Sequence, residues 1–133
     1  MANIELNDDN FCFVCGKNNA NGLKLDFVKT EDGKIHCEFL PQKYHQGFAG
    51  IVHGGIIGLI LDEAMVNLLW KQGKHAVTAH LELRLKKTAY VGEKLFFEAG
   101  IETEEKRLIC TYGICRDRHN AVVAEAKAKC MRV

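Results

Sequence analysis

His53-Gly54-Gly55-Ile56-Ile57-Gly58-Leu59-Ile60-Leu61-Asp62-Glu63-Ala64-Met65-Val66-Asn67-Leu68-Leu69-Trp70-Lys71 is the stretch around which the rest of the chain is read. Between Ile56 and Trp70 the apolar residues reach nearly every side of a helical wheel, interrupted only by Gly58, Asp62, Glu63 and Asn67. A helix that is apolar all round is a buried one. Roughly 18 residues make a rod of about 27 Å, the right length to lie along the inside of a curved sheet. Two adjacent carboxylates at its centre make it a poor membrane span.

Two features of this helix ask for a reason. The approach, Val52-His53-Gly54-Gly55, offers no Ser, Thr, Asp or Asn at the N-cap, so the first-turn N–H groups are expected to lack a side-chain acceptor. Bare N–H groups at the positive end of a helix dipole suit a ligand carbonyl or an anion, and the paired glycines clear the way to them. A glycine-rich loop with its amides in water is the alternative. The second feature is Asp62, whose neighbours one turn away are Gly58, Leu59, Met65 and Val66; Glu63 instead shares a stripe with Asn67 near Lys71 and reads as a polar edge. A carboxylate on an apolar stripe needs a hydrogen-bond donor or a shifted pKa, which makes Asp62 a candidate for chemistry. A buried aspartate bonded only to nearby backbone is the other reading.

Outward from the helix the period changes to two. Leu23, Leu25 and Phe27 alternate with Lys24 and Asp26, and Ile35, Cys37 and Phe39 with Lys34, His36 and Glu38, predicting two strands joined at Glu31-Asp32-Gly33. Pro41 to Val52 reads as a loop, and Gln72-Gly73 closes the helix. Val77, Ala79, Leu81, Leu83 and Leu85 then form one face of a long strand, with Thr78, His80, Glu82, Arg84 and Lys86 on the other. Three further strands follow at 95–102, 108–117 and 121–131, the last with a small-residue face that admits a helix closely. The expected architecture is α+β: one long helix against an antiparallel sheet of about six strands. The long strand at 77–86 is a hazard if left open at an edge, so pairing with a second copy is expected.

The chain of 133 residues is expected to form a single domain, with residues 1–22 as a lead-in segment. Its 18 basic and 17 acidic residues are well mixed, with a formal charge of +1, which leaves no electrostatic footprint for nucleic acid. The opening Met1 to Asn10 lacks a basic segment followed by an apolar run, and a cytoplasmic protein is expected. Of the six cysteines, Cys37, Cys110 and Cys130 fall in apparent strands as small hydrophobes. Cys12-Phe13-Val14-Cys15 has ligand spacing, but no second Cys-x-x-Cys or His-x-x-x-His follows, so a packed N-terminal clasp is favoured over a zinc or redox site and no metal is expected.

His53-Gly54-Gly55 followed by Leu61-Asp62-Glu63, with aspartate nine residues after histidine, resembles the signature of acyl-CoA thioesterases of the PaaI and 4-hydroxybenzoyl-CoA thioesterase type, which have the hotdog fold. The preceding His45-Gln46-Gly47-Phe48-Ala49-Gly50-Ile51-Val52 and the opening Cys12-Phe13-Val14-Cys15-Gly16, with Asn18, Gly22, Leu23 and Leu25, are similar to a PaaI-like subgroup. The resemblance implies a hotdog fold from about Phe11 to the last strand, no cofactor, and a homodimer or dimer of dimers with the active site at the interface. It places the catalytic acid on Asp62, the carbonyl-polarising amide on Gly54, and an assisting hydroxyl on Thr78. His53 and Gly55 then shape the thioester pocket, with Glu63 beside it. Gln46 stands near a position where PaaI has an asparagine, whose own place is taken by Gly47. Coenzyme A carries phosphates, for which Arg84, Lys86 and Lys87 are candidates; a solvated strand end is their alternative.

The function this implies is hydrolysis of an acyl-CoA thioester to free acid and coenzyme A. An already activated thioester asks only for a polarised carbonyl and a positioned water or carboxylate. A non-catalytic hotdog protein that binds acyl-CoA is the alternative. A hotdog dehydratase ranks lower because Pro41 stands alone, and a zinc-stabilised interaction module lower still. Phe48, Met65, Leu69 and Trp70 are candidates to line the acyl pocket.

Overall fold

The computed structural model describes residues 4–133; the opening Met1-Ala2-Asn3, part of the stretch read for a leader, lies outside the described residues. The elements run β1 (Val28–Lys29), β2 (Ile35–Phe39), a short 3-10 turn (Lys43–His45), α1 (Gly54–Lys71), β3 (Ala76–Leu85), β4 (Leu95–Glu104), β5 (Leu108–Arg116) and β6 (Val122–Arg132). All pairings are antiparallel, in the order β1-β2-β4-β5-β6-β3. One helix therefore lies on one six-stranded sheet, as the periodicities predict. No described helix is long and apolar enough to cross a membrane.

The helix is buried along Ile57, Ile60, Leu61, Ala64, Met65, Leu68 and Leu69, a stripe with the three-and-four spacing of a single helix face. That stripe packs into a core with Phe39, Leu95, Phe97, Ile109 and the small-residue face of β6, where Ala124, Ala126, Ala128 and Cys130 are all buried. The other flank, with Ile56, Leu59 and Val66, is only half-buried, and Trp70 is exposed. The sheet thus covers one side of a helix that is apolar on more than one side. The helix ends in a Schellman turn: Gly73 at φ 74° donates to the Trp70 carbonyl, and Lys74 to that of Leu69.

β3 forms one edge of the sheet, paired with β6 alone, and it is ten residues long. Leu81 and Leu85 on it are exposed in the single chain. The opposite edge, β1, has two residues and offers little to pair with.

Two strand expectations are corrected. Residues 23–27 do not form a strand: Lys24 has φ 53°, in the left-handed region, which breaks extended backbone there. The alternation nevertheless has a cause, because the Leu23 and Leu25 amides bond to the carbonyls of Phe13 and Val14 in the N-terminal segment, and Phe27 is buried. The second correction concerns β3, where a bulge at Ala79 shifts the register between Thr78 and His80. One extra residue reverses the alternation. Thr78 pairs with buried Cys130 and so lies on the helix side with Leu81, Leu83 and Leu85, instead of on the outer face with His80, Glu82 and Arg84.

Candidate active site

The bulge matters because it brings Thr78 to Asp62. The Thr78 hydroxyl donates to Asp62 Oδ1 at 2.8 Å across the groove between α1 and the edge strand. Three helix residues spaced by four, Gly54, Gly58 and Asp62, face β3 in turn. A Cβ on Gly54 would stand 2.6 Å from Leu85 Cδ1, and one on Gly58 2.8 Å from Leu83 Cδ2, so both glycines let helix and strand approach closely. The third position along this line carries the carboxylate. Asp62 is half-buried and its partner is a threonine hydroxyl, which fulfils the sequence argument that a carboxylate on this stripe needs a donor.

At the other end of the same line the helix begins with a cap that the sequence reading does not foresee. His53 has extended backbone, and its Nδ1 accepts the Gly55 amide at 2.9 Å. Histidine is outside the usual set of capping residues, so the prediction of an uncapped first turn fails at Gly55. It holds at Gly54, whose N–H has no hydrogen-bond partner among the described residues. The loop before it fixes the position: the His53 amide donates to the His45 carbonyl at 3.0 Å, and Gln46 Oε1 accepts the Gly50 amide at 3.0 Å. Gln46 therefore closes its own loop through its oxygen.

The remaining candidates separate from this pair. Glu63, read from sequence as a polar edge, is half-buried on a different flank of α1 and accepts from Cys12 Sγ at 3.4 Å, Cys15 Sγ at 3.5 Å and Asn67 Nδ2 at 3.2 Å. Lys86 is paired with Glu125 at 3.0 Å and Lys87 with Asp117 at 2.5 Å, while Arg84 lies on the outer face with no acidic partner among the described salt bridges. Lys87 and two backbone amides hold the Asp117 carboxyl low, at about 2. His80 is exposed on the outer face. His45 accepts the Gln42 amide through Nδ1 and packs against Phe39, and burial lowers its pKa. Met65 and Leu69 belong to the sheet-side core, which removes them as pocket-lining candidates, while Phe48 is 85% exposed.

All six cysteines are free thiols. Burial first pushes the Cys37 and Cys115 thiols up to about 12, and it also raises Cys130, so these three are inert packing residues at neutral pH.

The thioesterase superfamily pattern matches residues 49–127, and the chain belongs to that family. A putative esterase of Archaeoglobus fulgidus is 31% identical over 112 residues, 84% of this chain and 72% of that protein. Human acyl-coenzyme A thioesterase 13 is 26% identical over 90 residues, 66% of this chain and 64% of that protein. Among solved structures, a thioesterase superfamily protein superposes with a TM-score of 0.87 at 24% identity, covering 92% of this chain and 60% of that one. The chain thus spans less than two thirds of the last two proteins' length. The matched segment runs from the loop before His53 into β6 and contains the line from Gly54 to Asp62 together with Thr78.

Proposed function

We propose that the chain hydrolyses acyl-CoA thioesters, with Asp62 as base or nucleophile, Thr78 holding it, and the Gly54 amide polarising the carbonyl. The observation that carries this reading is the 2.8 Å bond from the Thr78 hydroxyl to Asp62, in line with the unpartnered N–H of Gly54. Family membership and the human relative's name support the substrate class.

A single copy does not bring the two ends of that line onto one bond. Gly54 and Asp62 are eight residues apart on one helix, about 12 Å along its axis. A carbonyl oxygen bound at Gly54 is therefore out of reach of the same chain's carboxylate. A two-fold partner joined along the open edge of β3 runs its helix the opposite way, so Asp62 of one copy stands near Gly54 of the other. The exposed edge strand, exposed Leu81 and Leu85, and the half-buried flank of α1 support this homodimer.

In such a site the Gly54 N–H and the helix dipole stabilise the negative charge that develops on the thioester oxygen. Asp62 either takes a proton from water, whose hydroxide adds to the carbonyl carbon, or adds directly to form an anhydride that water then opens. Either route expels coenzyme A as its thiolate, and the acyl group leaves as the free acid. The Thr78 hydroxyl, donating to Oδ1, holds the carboxylate in place and leaves Oδ2 free for the reaction. Arg84, the unpaired cation of the three, remains available to coenzyme A phosphates, whereas Lys86 and Lys87 must exchange acidic partners to reach them.

The test is chromatographic measurement of coenzyme A released from short, medium, long and aromatic acyl-CoAs. Turnover of at least one class supports the proposal; tight acyl-CoA binding with no release on any class makes the chain a non-catalytic binder. Thr78→Val gives a second readout. Removing a hydrogen bond to a charged group costs about 1.5–3 kcal/mol, so kcat is expected to fall about 10- to 100-fold. Thr78→Ser, which keeps the hydroxyl, is expected to restore most of it.

A further inference from the structure

We infer that Cys12, Cys15 and Glu63 form a zinc-binding site that ties the N-terminal segment to the middle of α1. One ligand atom from each of the three side chains falls within 4.8 Å of the others. A tetrahedral zinc with Zn–S of about 2.3 Å and Zn–O of about 2.0–2.2 Å has an S···O edge of about 3.5 Å. Here Cys12 Sγ lies 3.4 Å from Glu63 Oε1 and Cys15 Sγ 3.5 Å from Oε2, so each sulfur stands about one such edge from its own oxygen of the carboxylate. The three side chains therefore converge on one point, and a small rotation of the Glu63 carboxylate brings a single oxygen between the two sulfurs.

The backbone is built to the same end. Cys12-Phe13-Val14-Cys15 is a tight turn closed by the Gly16 amide on the Cys12 carbonyl at 2.8 Å, which turns both thiols to one side. Gly16 is required there, since a Cβ would come within 2.6 Å of the Phe11 and Cys12 backbone. Asn67, one helical turn after Glu63, gives its Nδ2 to that carboxylate at 3.2 Å, while its buried Oδ1 has no hydrogen-bond partner among the described residues. A buried acceptor left without a donor is costly. Three protein ligands leave the fourth position of a tetrahedral ion to water, and that water is the donor the Asn67 oxygen lacks. The cavity beside the cluster, about 330 Å³ and lined by Cys12, Cys15, Glu63 and Asn67, has room for it.

Two thiolates and a carboxylate favour a borderline-soft divalent ion over magnesium or calcium, which prefer oxygen ligands alone. Binding converts both thiols to thiolates and releases their two protons to solvent. The site lies on a different flank of α1 from Thr78, so it stands whether or not the chain hydrolyses thioesters. Sequence spacing misses it because the third ligand is 48 residues beyond Cys15.

The test is titration of the reduced, chelator-treated chain with cobalt(II), followed by displacement with zinc(II). The expected result is one equivalent bound per chain, with thiolate-to-cobalt charge-transfer and tetrahedral ligand-field absorption bleached by zinc. Cys12→Ser/Cys15→Ser is expected to abolish both bands. Glu63→Gln, which keeps the side chain's shape, is expected to weaken zinc binding at least tenfold. No charge-transfer band in the unaltered chain overturns the inference. So does a band that persists without Cys12 and Cys15, or zinc affinity unchanged by Glu63→Gln.

Discussion

Asp62→Asn is expected to lower kcat for acyl-CoA hydrolysis by about 10²–10⁴-fold, the usual worth of a positioned acid–base group. The substitution keeps the side chain's volume, and its remaining oxygen still accepts from Thr78, so the fold and the groove between α1 and β3 persist. What is lost is a carboxylate able to take a proton from water or to attack. KM is expected to change little, because substrate is held mainly through its coenzyme A and acyl portions, and the loss appears equally in kcat and kcat/KM. Steady-state kinetics with chromatographic detection measure both. A loss below tenfold would move the chemistry to another group and leave the bond between Thr78 and Asp62 a structural one.

Gly54→Pro is the second large effect. Proline at the first helical position is tolerated, since the N–H there has no intrahelical partner, and His53 already has the extended conformation (φ −60°, ψ 127°) that a following proline demands. The variant removes one donor while the helix stays. Loss of a single oxyanion donor costs about 10²–10³-fold in kcat. Any new side chain at this position meets Leu85 Cδ1, with a Cβ contact of 2.6 Å, so Gly54→Ala is the control for that contact: it adds the same Cβ and keeps the N–H. Activity well above that of the proline variant is expected for alanine. Equal losses would assign the effect to packing against Leu85 and remove the amide from the mechanism.

The parts of the fold visible in the sequence are those set by hydrophobic period. The buried stripe of α1, the small face of β6, the strands around Cys37 and Ile109 and the glycine that ends the helix all follow from side-chain pattern, because burial and backbone geometry act there on the same residues. Leu23 to Phe27 shows the limit: alternation records which side chains are buried, and a left-handed Lys24 leaves that pattern intact while ending the strand. Thr78 shows another. A bulge at Ala79 involves no glycine or proline, so only the pairing with β6 reveals that the alternation reverses there. The resemblance to known thioesterases named Thr78 while the period of two placed it on the outer face; the bulge removes that conflict.

The surroundings of Asp62 and Glu63 were legible to different degrees for a physical reason. Both carboxylates are half-buried, but Asp62 meets a strand that follows the helix closely in sequence, whereas Glu63 meets thiols from the start of the chain. Helical periodicity reports the face on which a side chain lies and nothing of a distant segment that covers it. His53 as N-cap was hidden for a simpler reason: an imidazole nitrogen accepts an amide as a carboxylate or hydroxyl does, but histidine is seldom found in that role.

In the proposed mechanism Asp62 of one copy and Gly54 of another act on the same carbonyl. Mixing Asp62→Asn with Gly54→Pro separates a shared site from a single-chain one, once subunit exchange has been verified by mass spectrometry of differently tagged chains. In an equal mixture half of the dimers are mixed, and each mixed dimer has one intact site of two, so about a quarter of the unaltered chain's activity is predicted from two inactive parents. Verified exchange with no recovered activity would contradict a shared site and place both groups' work within a single chain.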